Sequence, residues 1–254
     1  MNSSPLEAFA LSDRGNVRAN NEDYCRIVPE LGLYLLADGM GGAKGGAHAS
    51  RLAVETVVDF IGGSKTKDAA TLKRAVEEAN RRVLDESSRD PKLDGMGTTL
   101  VAALETKTET GTAADPQIAI VSVGDSRAYL LDESDLEAVT EDQTWVRDIG
   151  TPLGLDEDTL KSHPMRHVLT MAIGVGASVK PRSYTVQLKP SMILLLSSDG
   201  LHGVIECREI EKILRESTPG NSTLEQKCKR LIQAAREAGG PDNISAVLLQ
   251  PRSS

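Results

Sequence analysis

Two apolar runs, each ending in Asp-Gly, constrain this chain more than any other feature of it. Leu33-Tyr34-Leu35-Leu36-Ala37 runs into Asp38-Gly39, and Met192-Ile193-Leu194-Leu195-Leu196-Ser197-Ser198 runs into Asp199-Gly200. A strand with one solvated face alternates apolar and polar residues, whereas an almost unbroken apolar run marks a strand covered on both faces. Both runs are therefore read as central strands, and each delivers an aspartate to the rim of the core. Neither approaches the roughly 20 apolar residues that a membrane-spanning helix needs.

Shorter apolar runs between Gly, Pro and Asp clusters predict further strands. The full set is 6–11, 24–28, 33–37, 98–104, 117–123, 127–131, 182–188, 192–197 and 244–250. Helical spacing appears over 47–61, where Leu52, Val54, Val57, Val58 and Ile61 share a face, and over 68–85, where Leu72, Val76, Ala79, Val83 and Leu84 do. Helices are also predicted over 209–215 and 223–238. The long helices fall in adjacent pairs separated by runs of strands. That order predicts an α+β sandwich and not the strict alternation of a doubly wound parallel sheet. Residues 142–167 hold Gly150, Pro152, Gly154 and Pro164 and are expected to form an irregular surface flap.

With 254 residues and no repeat or low-complexity linker, the chain is expected to form one domain over 1–254. Aromatic residues make up only 3%, so the core must rest on Leu, Val, Ile and Ala. The net charge of −8 argues against nucleic acid or an anionic membrane as partner. Any phosphate site must then be locally positive, and bound cations are one way to make it so. Cys25, Cys207 and Cys228 lack the paired spacing of a zinc site and read as reduced thiols. The first residues show no basic and apolar leader, so a cytoplasmic location is expected.

The aspartates carry the functional argument. Asp38 and Asp199 follow strands, Asp125 ends the run 118–124, and Asp242 opens the last strand. A carboxylate fixed at the end of a buried strand can line an oxygen-rich pocket suited to magnesium or manganese. A single Asp-Gly is usually just a turn, and spacing alone leaves that reading open. Arg18, within Ser12–Arg18, can grip a phosphate bidentately, with Glu22 and Asp23 close behind it; the plain alternative is a solvated charged turn. The glycine-rich stretch 39–46 precedes a helix, but Lys44 is followed by Gly45, so the P-loop ending is missing.

Taken in order, these segments resemble the metal-dependent PPM (PP2C-type) serine/threonine protein phosphatases in their compact bacterial form. The resemblance rests on residues 12–23, 37–42 (Ala-Asp-Gly-Met-Gly-Gly), 97–99 (Gly-Thr-Thr) and 123–127 (Val-Gly-Asp-Ser-Arg). It continues through 168–174, 198–201 (Ser-Asp-Gly-Leu) and 242–245 (Asp-Asn-Ile-Ser). It spans nearly the whole chain.

The resemblance implies a central β-sandwich of two antiparallel sheets flanked by antiparallel helix pairs, a four-layer αββα arrangement. It implies two core Mn2+ or Mg2+ ions, M1 and M2, bridged by Asp38. Asp199 and Asp242 would complete M1, Glu22 and the Gly39 carbonyl would serve M2, and Asp125 with Asp199 would match a third metal position. Asp23 would hold a water from the second shell, and Arg18 would bind the substrate phosphate. A hydroxide bridging the cations would then attack phosphorus directly in phosphoserine or phosphothreonine monoesters. The implied partners are phosphorylated proteins, substrates of a Ser/Thr kinase, and the enzyme is expected to act as a monomer.

Several residues depart from the family pattern. Met40 stands where some members carry a histidine assigned as general acid, and methionine has no proton to give. Ala43 replaces a usual His, the flap opens Asp142-Gln143-Thr144 without its usual His, and Met171 stands where Arg is frequent. His48, His163, His167 and His202 lack ligand spacing among themselves and are read as structural or surface residues. Trp145 is read as packing the flap. The main alternative is a catalytically inactive module of the same fold that binds or regulates. Such a module would be expected to have lost a metal aspartate, yet Asp38, Asp199 and Asp242 are all present. A nucleotide-binding switch is the third reading, and the missing P-loop ending weighs against it.

Overall fold

In a computed structural model, residues 4–41, 45–106, 115–216 and 223–252 are described. Among these residues eleven strands occur: β1 (Leu6–Asp13), β2 (Asp23–Val28), β3 (Leu33–Met40), β4 (Gly97–Thr98), β5 (Leu100–Thr106), β6 (Gln117–Val123), β7 (Arg127–Leu131), β8 (Leu136–Ala138), β9 (Arg182–Gln187), β10 (Ile193–Ser197) and β11 (Ile244–Pro251). The helices are α1 (Gly45–Gly62), α2 (Ala69–Arg89), α3 (Glu157–Ser162), α4 (Asp199–His202), α5 (Cys207–Arg215) and α6 (Leu224–Glu237). One sheet has the order β1-β11-β10-β7-β8 and the other β2-β3-β5-β6-β9, with β4 pairing β3. Every pairing is antiparallel.

The two apolar runs behave as strands covered on both faces. Leu33, Leu35 and Ala37 of β3 pack toward α1 and α2, while Tyr34 and Leu36 point into the layer between the sheets. In β10, Ile193 and Leu195 pack toward α5 and α6, while Leu194 and Leu196 enter the inter-sheet layer. The period of two thus serves two cores at once. Each fully buried Leu contributes about 1.5–3 kcal/mol of transfer free energy, so these strands anchor all four layers. The architecture is the expected αββα sandwich.

Capping explains where the helices begin. Asp68 accepts from Thr71 N at 2.7 Å and starts α2. Thr223 and Gln226 close a reciprocal capping box at α6. No helix among the described residues is long and apolar enough to cross a membrane.

Two local expectations need correction. Residues 142–167 are not simply irregular: Val146–Gly150 forms a π-type turn and Glu157–Ser162 the short α3, capped by Asp156. The stretch is pinned by Trp145, whose ring stacks on His163 at 3.9 Å and 8° and whose backbone N–H donates to Val168 O at 2.8 Å. The strand predicted over 98–104 breaks at Thr99 into β4 and β5, which both pair with β3. The three-residue β8 was too short to show in the sequence.

Candidate active site

Both sheets send acidic residues to the same end of the sandwich. Asp23 opens β2 and stands directly opposite Asp38 of β3 in the antiparallel register. Asp125 lies in the turn from β6 to β7, which crosses from one sheet to the other. Asp199 opens α4 just beyond β10, and Asp242 precedes β11. Arg18, Glu22, Asp38, Gly39, Asp125, Asp199 and Asp242 all line one cleft of about 1070 Å³. Asp23 lies beneath it and is buried.

The Gly-Thr-Thr segment fixes Asp38 by its backbone. Asp38 N donates to Thr99 Oγ1 at 3.1 Å, and Asp38 O accepts from Thr98 Oγ1 at 2.8 Å and Thr99 N at 2.9 Å. The Thr99 hydroxyl also meets Ser126 Oγ at 2.7 Å, tying Asp38 to the turn that carries Asp125. Asp23 Oδ2 accepts from Ser198 Oγ at 2.8 Å, and Ser198 Oγ accepts from Ser245 N at 3.0 Å. One carboxylate therefore joins β2 to the strand ends of the other sheet.

Crowding shows in the protonation behaviour of these groups. Burial, opposed by hydrogen bonds from Ser245 and Ser198, pushes Asp23 up to about 7. Burial, then the Asp199 and Asp142 charges, pushes Asp125 up to about 7. Asp38 is raised well above the carboxylate range by burial, then by Asp23, Asp199, Asp125 and Asp242. Asp199 is raised by burial and by Asp242, and Glu22 by burial against the pull of Arg18. Opposite charge in the cleft acts against all of these shifts.

The donor set fits hard divalent cations. It is all oxygen, and Asp23 Oδ1 and Asp199 Oδ1 are buried with no hydrogen-bond partner among the described residues. Among the described residues no group of three or more His, Cys, Asp or Glu side chains is placed to hold a metal ion by itself. Magnesium-type ions keep several waters and do not need one. Gly46 shows why α1 opens on glycine: an added Cβ there would lie 2.2 Å from Glu22 Oε2. The glycine therefore lets the helix start come up against that carboxylate. Gly42, Ala43 and Lys44 lie outside the described residues.

At the same cleft, Arg18 Nη2 donates to Asp242 Oδ2 at 2.6 Å. Its side chain is 57% exposed, free enough to turn toward an incoming anion. Met40 lines the cleft as a group without an exchangeable proton. Three of the histidines have structural contacts. His48 bonds Glu86 at 2.6 Å, His163 stacks on Trp145, and His202 bonds Ser197 at 2.9 Å. His167 and His202 also line the cleft.

Other residues escaped sequence reasoning. Arg127 donates to both Asp142 oxygens at 2.7 Å and to Tyr129 OH at 2.8 Å. Gln143 exchanges bonds with Gly124 through its side-chain oxygen (3.0 Å) and backbone N–H (2.9 Å). Asn243 ties the segment of Arg18 and Glu22 to Asp242. Each lay within or beside a motif, but partners such as Asp142 for Arg127, Gly124 for Gln143 and Glu22 for Asn243 lie far away in sequence, where no periodic signal points.

Comparison with known proteins gives concordant results. A family model described as Protein phosphatase 2C matches residues 15–248. The serine/threonine phosphatase stp of Listeria monocytogenes is 33% identical over 253 residues, covering 96% of each chain. The crystal structure of the serine/threonine phosphatase PstP/Ppp of Mycobacterium tuberculosis superposes with a TM-score of 0.83. It is 31% identical, covering 98% of this chain and 99% of that one. The catalytic domain of a PstP, solved with two manganese ions, gives a TM-score of 0.80 at 31% identity, covering 96% and 97%.

Proposed function

Because the chain belongs to the protein phosphatase 2C family, we propose that it hydrolyses phosphoserine and phosphothreonine monoesters in proteins with Mn2+ or Mg2+ as cofactor. The observation that carries this reading is the ring of carboxylates from both sheets around one cleft, faced by Arg18. Asp38, Asp199 and Asp242 would hold one ion, and Asp38, Glu22 and the Gly39 carbonyl a second. Asp125 with Asp199 would hold a third. Such ions supply positive charge for the phosphoryl oxygens and acidify coordinated water toward neutral pH.

The chain's own groups bind and orient the ester. Arg18, exchanging Asp242 for substrate, presents two parallel N–H donors to the phosphoryl oxygens, a fork geometry that lysine lacks. Asp23 Oδ1 has no donor among the described residues, and its carboxylate is held in place through Oδ2 by Ser198. It would be the acceptor that holds a water beneath the cleft. The leaving alkoxide takes its proton from water in the cleft or from another group that lines it, since Met40 has none to give. Charge on the phosphoryl group is offset by positioned groups, with no covalent intermediate on the protein.

Phosphorylated proteins made by a Ser/Thr kinase are the substrates of this reading, the chain is one catalytic domain over 1–254, and it acts as a cytoplasmic monomer. An inactive module finds no support, because Asp38, Asp199 and Asp242 all stand at the cleft. The test is hydrolysis of p-nitrophenyl phosphate and of a phosphothreonine peptide. Turnover is expected with Mn2+ and none in EDTA. No metal-dependent turnover on either substrate would sink the proposal.

A further inference from the structure

Residues 14–22 join β1 to β2 without helix or strand, yet they carry both Arg18 and Glu22. A loop that wanders would have to be ordered each time an anion binds, and that cost appears as lost affinity. Two asparagines stand against such wandering. Asn243 is 5% exposed and commits its whole amide to this loop. Its Nδ2 donates to Arg14 O at 3.0 Å and Asn20 O at 2.9 Å, and its Oδ1 accepts from Glu22 N at 2.8 Å. Its backbone N–H donates to Asp242 Oδ1 at 2.8 Å. One side chain with two donors and an acceptor thus gathers the loop's start, its far end and Glu22 beside Asp242.

Asn16, within the loop, anchors it to the end of α6. Its Nδ2 donates to Arg236 O at 2.8 Å and Gly239 O at 3.1 Å, at the end of α6, and its backbone N–H donates to Gly240 O at 2.8 Å. Arg236 Nε returns a bond to Asn16 Oδ1 at 3.2 Å. Between the two, Gly15 adopts φ +74°, and a Cβ there would lie 2.1 Å from Asp242 O. The loop is therefore pressed against the strand start that carries Asp242.

We propose that Asn243 and Asn16 are positioning residues: together they clamp the 14–22 loop so that Arg18 and Glu22 face the same cleft. Neither touches substrate; they act through Arg18, and Asn243 also through the Glu22 backbone. What Arg18 does once positioned rests on the phosphatase reading above. If the asparagines merely satisfied buried polar groups, their loss would lower stability without singling out Arg18.

The test uses the full chain with saturating Mn2+ and p-nitrophenyl phosphate, with Asn243→Ala, Asn16→Ala, Arg18→Ala and the two double variants. Each asparagine variant is expected to raise KM about three- to tenfold, more than it lowers kcat, as for one lost contact. In the Arg18→Ala background the same substitutions should change KM by less than about twofold, because contacts acting through one residue are not additive. Asn243→Ala should also raise the half-saturating Mn2+ concentration, and Asn16→Ala should not. Equal KM increases with and without Arg18, or no increase at all, would overturn the proposal.

If Asn243→Ala fails to fold, Asn16→Ala carries the same test with the same overturning result, because its side-chain bonds lie at the surface. Amide hydrogen exchange separates failure of the clamp from failure of the phosphatase reading. Loss of the Asn243 side chain should speed exchange in 14–22 by about tenfold relative to β10 and β11. A protein without turnover but with this change would refute the activity and keep the clamp; unchanged exchange would refute the clamp alone.

Discussion

Asp23 and Asp38 are direct partners on one rung of the β2–β3 ladder. Like charges directly opposite in a sheet repel, with Cβ atoms about 5 Å apart. Here the pair is enclosed as well, and Asp199, Asp125 and Asp242 add to the repulsion. The sandwich holds them through bonds to the backbone of Asp38 and a serine hydroxyl on Asp23. The fold thus supports a concentration of negative charge whose counterpart is a cation.

That arrangement sets the pH dependence of stability in chelator. Asp23 and Asp125 have folded values near 7, well above the ordinary 3.8. The folded chain then binds more protons than the unfolded one between those limits. The sign follows: the stabilisation is full below about pH 4 and is lost as pH rises through about 7. In EDTA, melting should occur at lower temperature near pH 8 than near pH 5, roughly the edges of that window. Added Mn2+ should raise the melting temperature most at the upper end. A melting temperature in EDTA that climbs from about pH 5 to about pH 8 would contradict this account.

Among single substitutions, those at the crowded aspartates should dominate activity. Asp38→Ala and Asp199→Ala should each lower kcat/KM by about a thousandfold, the scale of losing a principal electrostatic group. His163 stacks on Trp145 within the flap and holds no cleft position. His163→Ala should therefore cost less than about tenfold, the equivalent of about 1.4 kcal/mol. Comparable losses in all three variants would count against the assignment.

What could be read in advance follows from how far each signal reaches along the chain. The runs ending at Asp38 and Asp199 announced themselves because burial on both faces is written into consecutive residues. The stripes of α1 and α2 did so because helical period is local too. Asp38, Asp125, Asp199 and Asp242 were visible as strand-end carboxylates, but their meeting depends on two sheets packing together, which no local pattern encodes. Only the order of motifs carried that information. Asn243, Gln143 and the Arg127–Asp142 pair stayed hidden because their work is long-range hydrogen bonding. The flap's π turn and α3 were obscured by Gly150, Pro152 and Gly154, which read locally as loop.

Asp125 should behave differently from Asp38. It lies on the crossing turn, with Asp199 and Asp142 as its charged neighbours. Asp125→Ala should leave two tight Mn2+ sites and weaken or remove a third, weaker one. Calorimetric titration of the chelator-stripped protein reads this directly. Loss of a tight site would refute the separate role for Asp125.

The last expectation concerns the base of the flap. Arg127 grips Asp142 with two parallel bonds of 2.7 Å, while Tyr129 OH accepts a third. Burial alone would lower the Arg127 pKa, but Asp142 and Tyr129 raise it, so the charge is held firmly. The side chains are 32% and 18% exposed, which places the pair between a surface bridge and a fully buried one. Breaking a buried pair by removing one partner costs about 3–5 kcal/mol. Arg127→Gln should therefore destabilise by about 2–3 kcal/mol, chiefly because Asp142 is left desolvated and unpaired. In an Asp142→Asn background the same substitution should cost less than about 1 kcal/mol, since no charge is stranded. Urea unfolding of the four proteins with Mn2+ bound measures the difference. Equal costs in both backgrounds would mean that the pair does not act as a unit, and that the flap is held mainly by Gln143 and the Trp145–His163 stack.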